Sequence, residues 1–444
     1  VKSLTKHLPK ILVLFAVTLA TTAAAASSAR AKDHQPETVA PTAALDWNTI
    51  AVNTVRAATP AKFQVEGLIY VAYAQAAVYD AVTKIEGRYE PYHDFHAPVD
   101  TDDASPSAAT AAAAYTTLAY YFPAQAGTLS TTYSTYIAGL PSDGKAAGVA
   151  IGEAAAADVI AFRNGDGRDA TVSTPYGQGP LAPGLWVFAP LPSLQSAQTP
   201  WVAFMRPFML ESPSQFRADP PPALSSREWA AEFAEVKAYG SATSTVRTSE
   251  QTAVAQFWNA NAISQANQTL HDLATQHGFD LVDTARAFAM GNLVDADAGI
   301  ACWDSKYNYT FWRPVTAIQN ADIDGNPATT ADPTWTPLLT TPNHPEYPAA
   351  HGCVTAADAS VYSNLLGTNR INLDIQGATG GGSTLTVTRH YATADDLRTE
   401  IVNARVWAGL HYRGSAEAGV KLGREVAHWA LEHNFQPVRN DDEN

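Results

Sequence analysis

Residues 303–314 read Trp303-Asp304-Ser305-Lys306-Tyr307-Asn308-Tyr309-Thr310-Phe311-Trp312-Arg313-Pro314. Lys306 and Arg313 lie seven positions apart, two helical turns, so the spacing predicts that both project from one face of a helix. Two cations on one face of so aromatic a stretch repel each other unless something anionic sits between them. Taken alone, the commoner arrangement is a pair of surface cations whose stems lie along apolar neighbours. Two further segments bear on the choice. His344-Pro345-Glu346-Tyr347-Pro348-Ala349-Ala350-His351-Gly352-Cys353 puts Pro348 at the approach to a helix beginning near Ala349. A helix N-terminus offers free amides and the positive end of a dipole, a natural place for an oxyanion, and His351 projects from that first turn. Arg405-Val406-Trp407-Ala408-Gly409-Leu410-His411-Tyr412-Arg413 adds an arginine and a histidine, with Gly409 allowing close approach. Singly, each has an ordinary explanation as a satisfied core histidine or an exposed arginine.

Outward from these segments the chain reads as helix after helix. Apolar residues recur at helical spacing from Leu45 to Ala58 and from Phe63 to Ile85. Ser105-Pro106 is an N-cap followed by proline at N1, opening an Ala-rich helix to Phe122. Ser142-Asp143 opens another to Phe162, in which Gly148, Gly152 and Ala156 form a small-residue stripe suited to close helix contact. Thr248 with Gln251 makes a capping box within the helical region Ser226 to Met290. Thr171 to Pro222 holds eleven of the 28 prolines. Trp186, Phe188, Trp201, Phe204 and Phe208 mark it as an ordered loop wrapped over the domain rather than a linker. Asn320 to Pro348 is loop, Ile371–Ile375 and Thr384–Thr388 read as one β-hairpin, and helices run from Asp395 to about His433. The fold class is all-α, with one domain over residues 45–438, a leader at 27–44 and a polar tail at 439–444.

The N-terminus reads separately. Lys2, Lys6 and Lys10 precede an apolar run from Ile11 to Leu19 and small residues from Ala20 to Ala29, so residues 1–26 are expected to be a signal peptide and the protein secreted or periplasmic. No later segment is apolar enough to span a bilayer, so no membrane association is expected after cleavage. The 444 residues carry 28 Lys+Arg against 43 Asp+Glu, a formal charge of −15. That balance argues against clamping nucleic acid or an anionic membrane. Two cysteines cannot build a disulfide scaffold or a four-thiolate metal site. Nucleophile-elbow, Walker, zincin and covalent-haem motifs are missing from the sequence. Asp322, Asp324 and Asn326 hint at a calcium loop but read as a turn, because Gly325 is at the fourth position and no bidentate Glu follows.

The three C-terminal segments, in this order and spacing, resemble the vanadium-dependent haloperoxidases and the related acid phosphatases of the phosphatidic acid phosphatase superfamily. Trp47-Asn48, Ala76 to Val82, Trp303 to Arg313 and His344 to Pro348 look like the bacterial and plant haloperoxidase-like branch, and the resemblance covers most of residues 45–435. It implies a multi-helix bundle of the haloperoxidase/phosphatase type with long Pro-rich loops and one small β-hairpin. It also implies vanadate as cofactor, with phosphate able to occupy the same site, and hydrogen peroxide, halide and small organic acceptors as partners. Lys306, Arg313 and Arg405, with the Ala350 amide, would bind the oxyanion, and arginine's planar fork suits that role. His411 would bond vanadium, or attack phosphorus in a phosphatase. His351 would be the acid/base, and Lys306 would polarise bound peroxide. His344 and Trp303 are the halide-site candidates; His344 resembles the residue of bromide-oxidising members, where chloride-oxidising ones have Phe.

Three departures qualify the match. Ala349 and Ala350 replace the serine and glycine usual before the acid/base histidine, and Ala404 replaces a serine before Arg405. Losing one neutral hydrogen bond costs about 0.5–1.5 kcal/mol, so anion binding is expected to survive. Three functions follow: an exported haloperoxidase oxidising bromide or iodide in preference to chloride, an acid phosphatase with His411 as nucleophile, or a non-catalytic oxyanion-binding protein. His344 is expected to titrate near neutral pH. Cys302 and Cys353 both fall beside the pocket, and a disulfide between them and two buried thiols are both open. The oligomeric state is not legible.

Overall fold

The computed structural model describes residues 42–188 and 196–438. The expected signal peptide, most of the leader and the polar tail lie outside the described residues. The leader's last residues are helical: α1 spans Thr42–Arg56. It is followed by α2 (Gln64–Glu86), α3 (Pro106–Tyr121), α4 (Ala126–Gly139) and α5 (Lys145–Phe162). After the long loop come α6 (Arg227–Tyr239), α7 (Ser249–Phe257), α8 (Ala262–His277), α9 (Leu281–Tyr309) and the short α10 (Pro314–Gln319). α11 (Ala350–Leu366), strands β1 (Leu373–Gly377) and β2 (Val387–Tyr391), α12 (Ala394–Trp407) and α13 (Arg413–His433) complete the chain. The described residues are therefore mostly helical, as expected.

Two helices form the centre. α2 is buried on every face from Val65 to Thr83, and α9 from Ala287 to Tyr307, which is why neither shows a clear polar stripe there. α2 packs on α9, α3 and α5; α11 packs on α13, α9 and α12. Sequence signals at helix ends hold. Ser105 accepts from the Ala108 amide at 3.3 Å ahead of Pro106, and Thr248 with Gln251 closes the capping box of α7. The stripe on α5 is a contact surface: a Cβ at Gly148 or Gly152 would stand 2.2 or 2.3 Å from the Ser105 or Ala109 carbonyl oxygen of α3. α5 itself begins at Lys145, later than Ser142-Asp143 predicts. The sequence reading passed over α4, whose polar, Thr-rich face leaves only Leu129 buried.

The loop from Thr171 to Pro222 is ordered where described and is pinned rather than loose. The Asp297 carboxylate of α9 accepts from the backbone amides of Phe208, Met209 and Leu210. Trp186, Trp201 and Phe208 are buried as anchors, whereas Phe204, expected among them, is 59% exposed. The Trp186 amide donates to the Thr310 carbonyl at 2.7 Å, which fastens the loop to the end of α9. The hairpin pairs β1 with β2 antiparallel, Ile375 opposite Arg389, two to three residues later than expected. Leu373, Ile375 and Gly377 face inward, and that alternation sets the register. Asp324 accepts from Trp229 Nε1 and the Thr329 hydroxyl, so the acidic run near it is a hydrogen-bonded turn.

Candidate active site

Lys306 and Arg313 do not share a helix. α9 stops at Tyr309, with Thr310 left-handed at φ 47° and its amide bonded to the Lys306 carbonyl at 2.8 Å. Pro314 is the reason: a proline disfavours helical geometry in the residue before it, and Arg313 sits at φ −75°, ψ 154° as the N-cap of α10. Chain reversal still brings the two cations to the segment 344–348. Ala349 caps α11 without a side-chain hydrogen bond, so the first turn of that helix, with Ala350 and His351, opens onto the same place. Gly409 turns the chain between α12 and α13 at φ 77°, where a Cβ would stand 2.4 Å from the Gly240 carbonyl oxygen. That turn carries His411 back to Arg313.

The contacts there are specific. Lys306 Nζ donates to the carbonyl oxygens of Pro345, Glu346 and Pro348, at 3.0, 2.8 and 2.5 Å. Arg313 donates from Nε to the His344 carbonyl at 3.0 Å, and from Nη1 to the Leu410 carbonyl and to His411 Nε2, each at 3.1 Å. Its Nη2 lies 3.1 Å from His344 Nδ1. A guanidinium only donates, so His411 Nε2 accepts and carries a lone pair. His411 Nδ1 then holds the proton and donates to Glu346 Oε1 at 2.8 Å. Glu346 is wholly buried and also accepts from the Tyr412 amide at 3.2 Å. The anion that reconciles Lys306 with Arg313 is therefore internal. Glu346 is a functional residue that its motif does not single out in the sequence; its place between two prolines, near His344, is the available signal.

A cavity of about 230 Å³ adjoins this cluster, lined by Trp303, His344, Ala350, His351, Arg405 and His411 together with apolar residues from α2 and α11. Lys306 and Arg313 stand behind its wall. Arg405 Nη1 reaches the Trp258 carbonyl at 3.4 Å, while Arg405 Nε, His351 Nε2 and Trp303 Nε1 are buried with no hydrogen-bond partner. The His344 ring packs against Trp303 and Phe63, with centroids 5.0 and 5.7 Å apart, so the two halide-site candidates share one wall.

Electrostatics follow from burial. Desolvation, then neighbouring cations, lowers Arg405 to about 9, and burial brings Arg313 down to about 10 and Lys306 to about 8. Glu346 is pushed up to about 7 by burial, against the pull of Lys306 and Arg313. Burial and then the arginines hold His351 and His411 well below the usual imidazole range. His344 is held low by burial, Arg313 and Lys306, so the expected titration near neutrality does not occur. Both cysteines are free, buried thiols, in hydrogen-bond contact with one another; the open disulfide is not formed. The unpartnered Arg405 and His351 nitrogens, the lone pair on His411 and the cation excess suit a tetrahedral oxyanion such as vanadate or phosphate. The Lys306 ammonium has its three hydrogens on carbonyls, so it contributes charge from behind the wall.

Comparison with known proteins points to one fold. Residues 286–440, from α9 to the end of α13, match the family described as the VCPO second helical-bundle domain. The vanadium chloroperoxidase of Curvularia inaequalis is 26% identical over a match covering 46% of this chain and 43% of that one. The chain thus spans less than half the length of that relative. A crystal structure of a bacterial vanadium-dependent iodoperoxidase superposes with a TM-score of 0.72 at 24% identity, covering 91% of this chain and 99% of the other. A bacterial vanadium-dependent chloroperoxidase in its holo form gives 0.65 at 17% identity, covering 90% and 94%. The class is a helical protein with the vanadium haloperoxidase fold. Within it, the C-terminal bundle carrying the site resembles the VCPO second helical-bundle domain over residues 286–440.

Proposed function

We propose that the protein is an exported, vanadate-dependent haloperoxidase that oxidises bromide or iodide with hydrogen peroxide and passes the oxidised halogen to small organic acceptors. The observation that carries this reading is His411: with Nδ1–H fixed on Glu346, Nε2 is unprotonated at the cavity, the tautomer a metal-binding histidine requires, and Arg313 Nη1–H, which occupies that lone pair, would yield it to the bound group. Arg405 and the N-terminus of α11 would hold the oxyanion, while Lys306 and Arg313, behind the wall, would order residues 344–348 and 410–411 and add positive charge. Bound vanadate would supply the Lewis acidity that activates hydrogen peroxide for two-electron oxidation. His351, neutral and unpartnered at Nε2, would take and return the proton. Export rests on the charge and apolar pattern of residues 1–26.

Halide preference follows from the donors present. Chloride is the hardest of the three halides to oxidise and needs the most strongly polarised peroxide. Ala349 brings no hydroxyl and packs its methyl with Val402 and Ala416, and Lys306 is spent on carbonyls. The expected order is iodide and bromide above chloride. Steady-state assays of vanadate-loaded protein with each halide at matched concentration test it, and equal chloride and bromide turnover refutes the preference. No turnover with any halide, beside hydrolysis of nitrophenyl phosphate by vanadate-free protein, replaces the reading with a phosphatase using His411 as nucleophile.

A further inference from the structure

The cavity continues away from the arginines along one stripe of α11. His351, Thr355 and Asp358 follow at i, i+4 and i+7, and all three line it. Asp358 is only 8% exposed and faces Asp295 of α9, which is 2% exposed. The two carboxyl groups are in hydrogen-bond contact with each other, Asp358 is also bonded to the Tyr362 hydroxyl, and Oδ1 of each acid has no partner. Two carboxylates cannot donate, so the contact requires a proton between them. A void of about 10 Å³, near the smallest that holds a water, touches Asp358 among Gln265, Thr269 and Thr355.

We propose that the Asp295–Asp358 pair is the proton reservoir of the cavity, holding one shared proton and passing it from Asp358 along the α11 stripe to His351. The proposal rests on the peroxidase reading. Hydrogen peroxide, a halide ion and one proton give hypohalous acid and water, so every turnover takes up a proton. That proton leaves the carboxyl pair, reaches His351 and ends in the water formed; solvent entering the cavity restores it. The other candidates in the cavity are poor stores: His344, His351 and His411 are held neutral by burial and cations, and Glu346 is engaged by His411. The groups around Asp358 lack opposing charge, and among them the Tyr362 hydroxyl is hydrogen-bonded to it. They are Tyr362 on α11, Gln265 and Thr269 on α8, Trp258, Ile375 on β1 and Leu397 on α12. Burial raises Asp358 to about 8, and burial with the neighbouring acid raises Asp295 well above the carboxylate range. Asp358 is in this view a positioning residue for the proton, acting through His351.

The test compares wild type with Asp358→Asn, which is isosteric with the protonated acid, and with Asp295→Asn should the first not fold. Infrared difference spectra of vanadate-free protein at pH 7 should show a protonated-carboxyl band in the wild type that the substitution removes. In vanadate-loaded protein the alkaline limb of the pH–rate profile should move to lower pH by about one unit, with vanadate affinity unchanged. A difference spectrum without that band overturns the shared proton. A band that disappears while the pH profile stays fixed overturns the relay and leaves a structural pair. A wild type inactive with every halide overturns the peroxidase reading and the relay with it, whereas normal wild-type turnover beside an unshifted variant overturns the relay alone.

Discussion

Glu346 decides the chemistry of its neighbours. With no exposure, it accepts the Nδ1–H of His411, and its charge sets the tautomer that leaves Nε2 unprotonated. Replacing it by glutamine keeps size and removes charge, and the amide NH₂ can then oppose Nδ1–H and favour the other tautomer. The expected result for Glu346→Gln is a 10- to 100-fold loss in vanadate affinity, about what loss of a partner to a metal-bound histidine costs, with the fold retained. Calorimetric titration with vanadate alone reads it; unchanged affinity would mean that His411 is not the anchoring group. Lys306, Arg313, His351, Arg405 and His411 were legible because three spaced motifs carry them. Glu346 was not, because two cations suggested an external anion, and nothing in residue spacing says that a glutamate forty residues beyond Lys306 is buried in their field.

At the scale of elements, the cavity's oxyanion end is set by how closely α11 approaches α13. A Cβ on Gly419 would stand 2.5 Å from the Ala349 carbonyl oxygen and 3.2 Å from the Cys353 amide. Gly419→Ala must therefore push the first turn of α11, with Ala350 and His351, away from α13. We expect a loss of about 1–3 kcal/mol in stability together with weaker anion binding. Gly127→Ala on α4 has open space around it and should instead gain about 0.5–1 kcal/mol from lower backbone entropy. Denaturant melts of the pair separate the two effects; equal shifts of the same sign would contradict the packing argument. Helix ends were the most readable elements, since Ser105 and Thr248 are local signals. The α9–α10 break was written in Pro314, yet the seven-residue spacing outweighed it. The hairpin's bounds were misplaced because its register depends on burial against α8, which is a tertiary fact.

For the whole molecule, an acidic exterior encloses a cationic cavity and several buried carboxyls. Asp358, Glu346 and Glu232 are raised by burial to about 8, 7 and 7. Each therefore binds more proton folded than unfolded between its two pKa values, so the stability linked to it is full below the unfolded value and is lost as pH rises through the folded one. The buried histidines act the other way, but only below about 6.5, where the unfolded imidazole takes up its proton. Lys306, lowered to about 8, opposes the decline only above that pH. Between pH 6.5 and 8 the raised carboxyls set the slope, opposed by the Cys302 thiol, which Cys353 and Lys306 hold below its usual range against burial. One proton's difference over that window is worth about 2 kcal/mol, so Asp358 alone should make the protein measurably less stable at pH 8 than at pH 6.5. Asp358→Asn cannot take part in that exchange and should flatten the slope while leaving the acid limb in place. Denaturant unfolding of vanadate-free wild type and variant across this range reads both slopes, and a wild-type stability that stays level or climbs from pH 6.5 to 8 would show that these carboxyls are ionised in the folded protein.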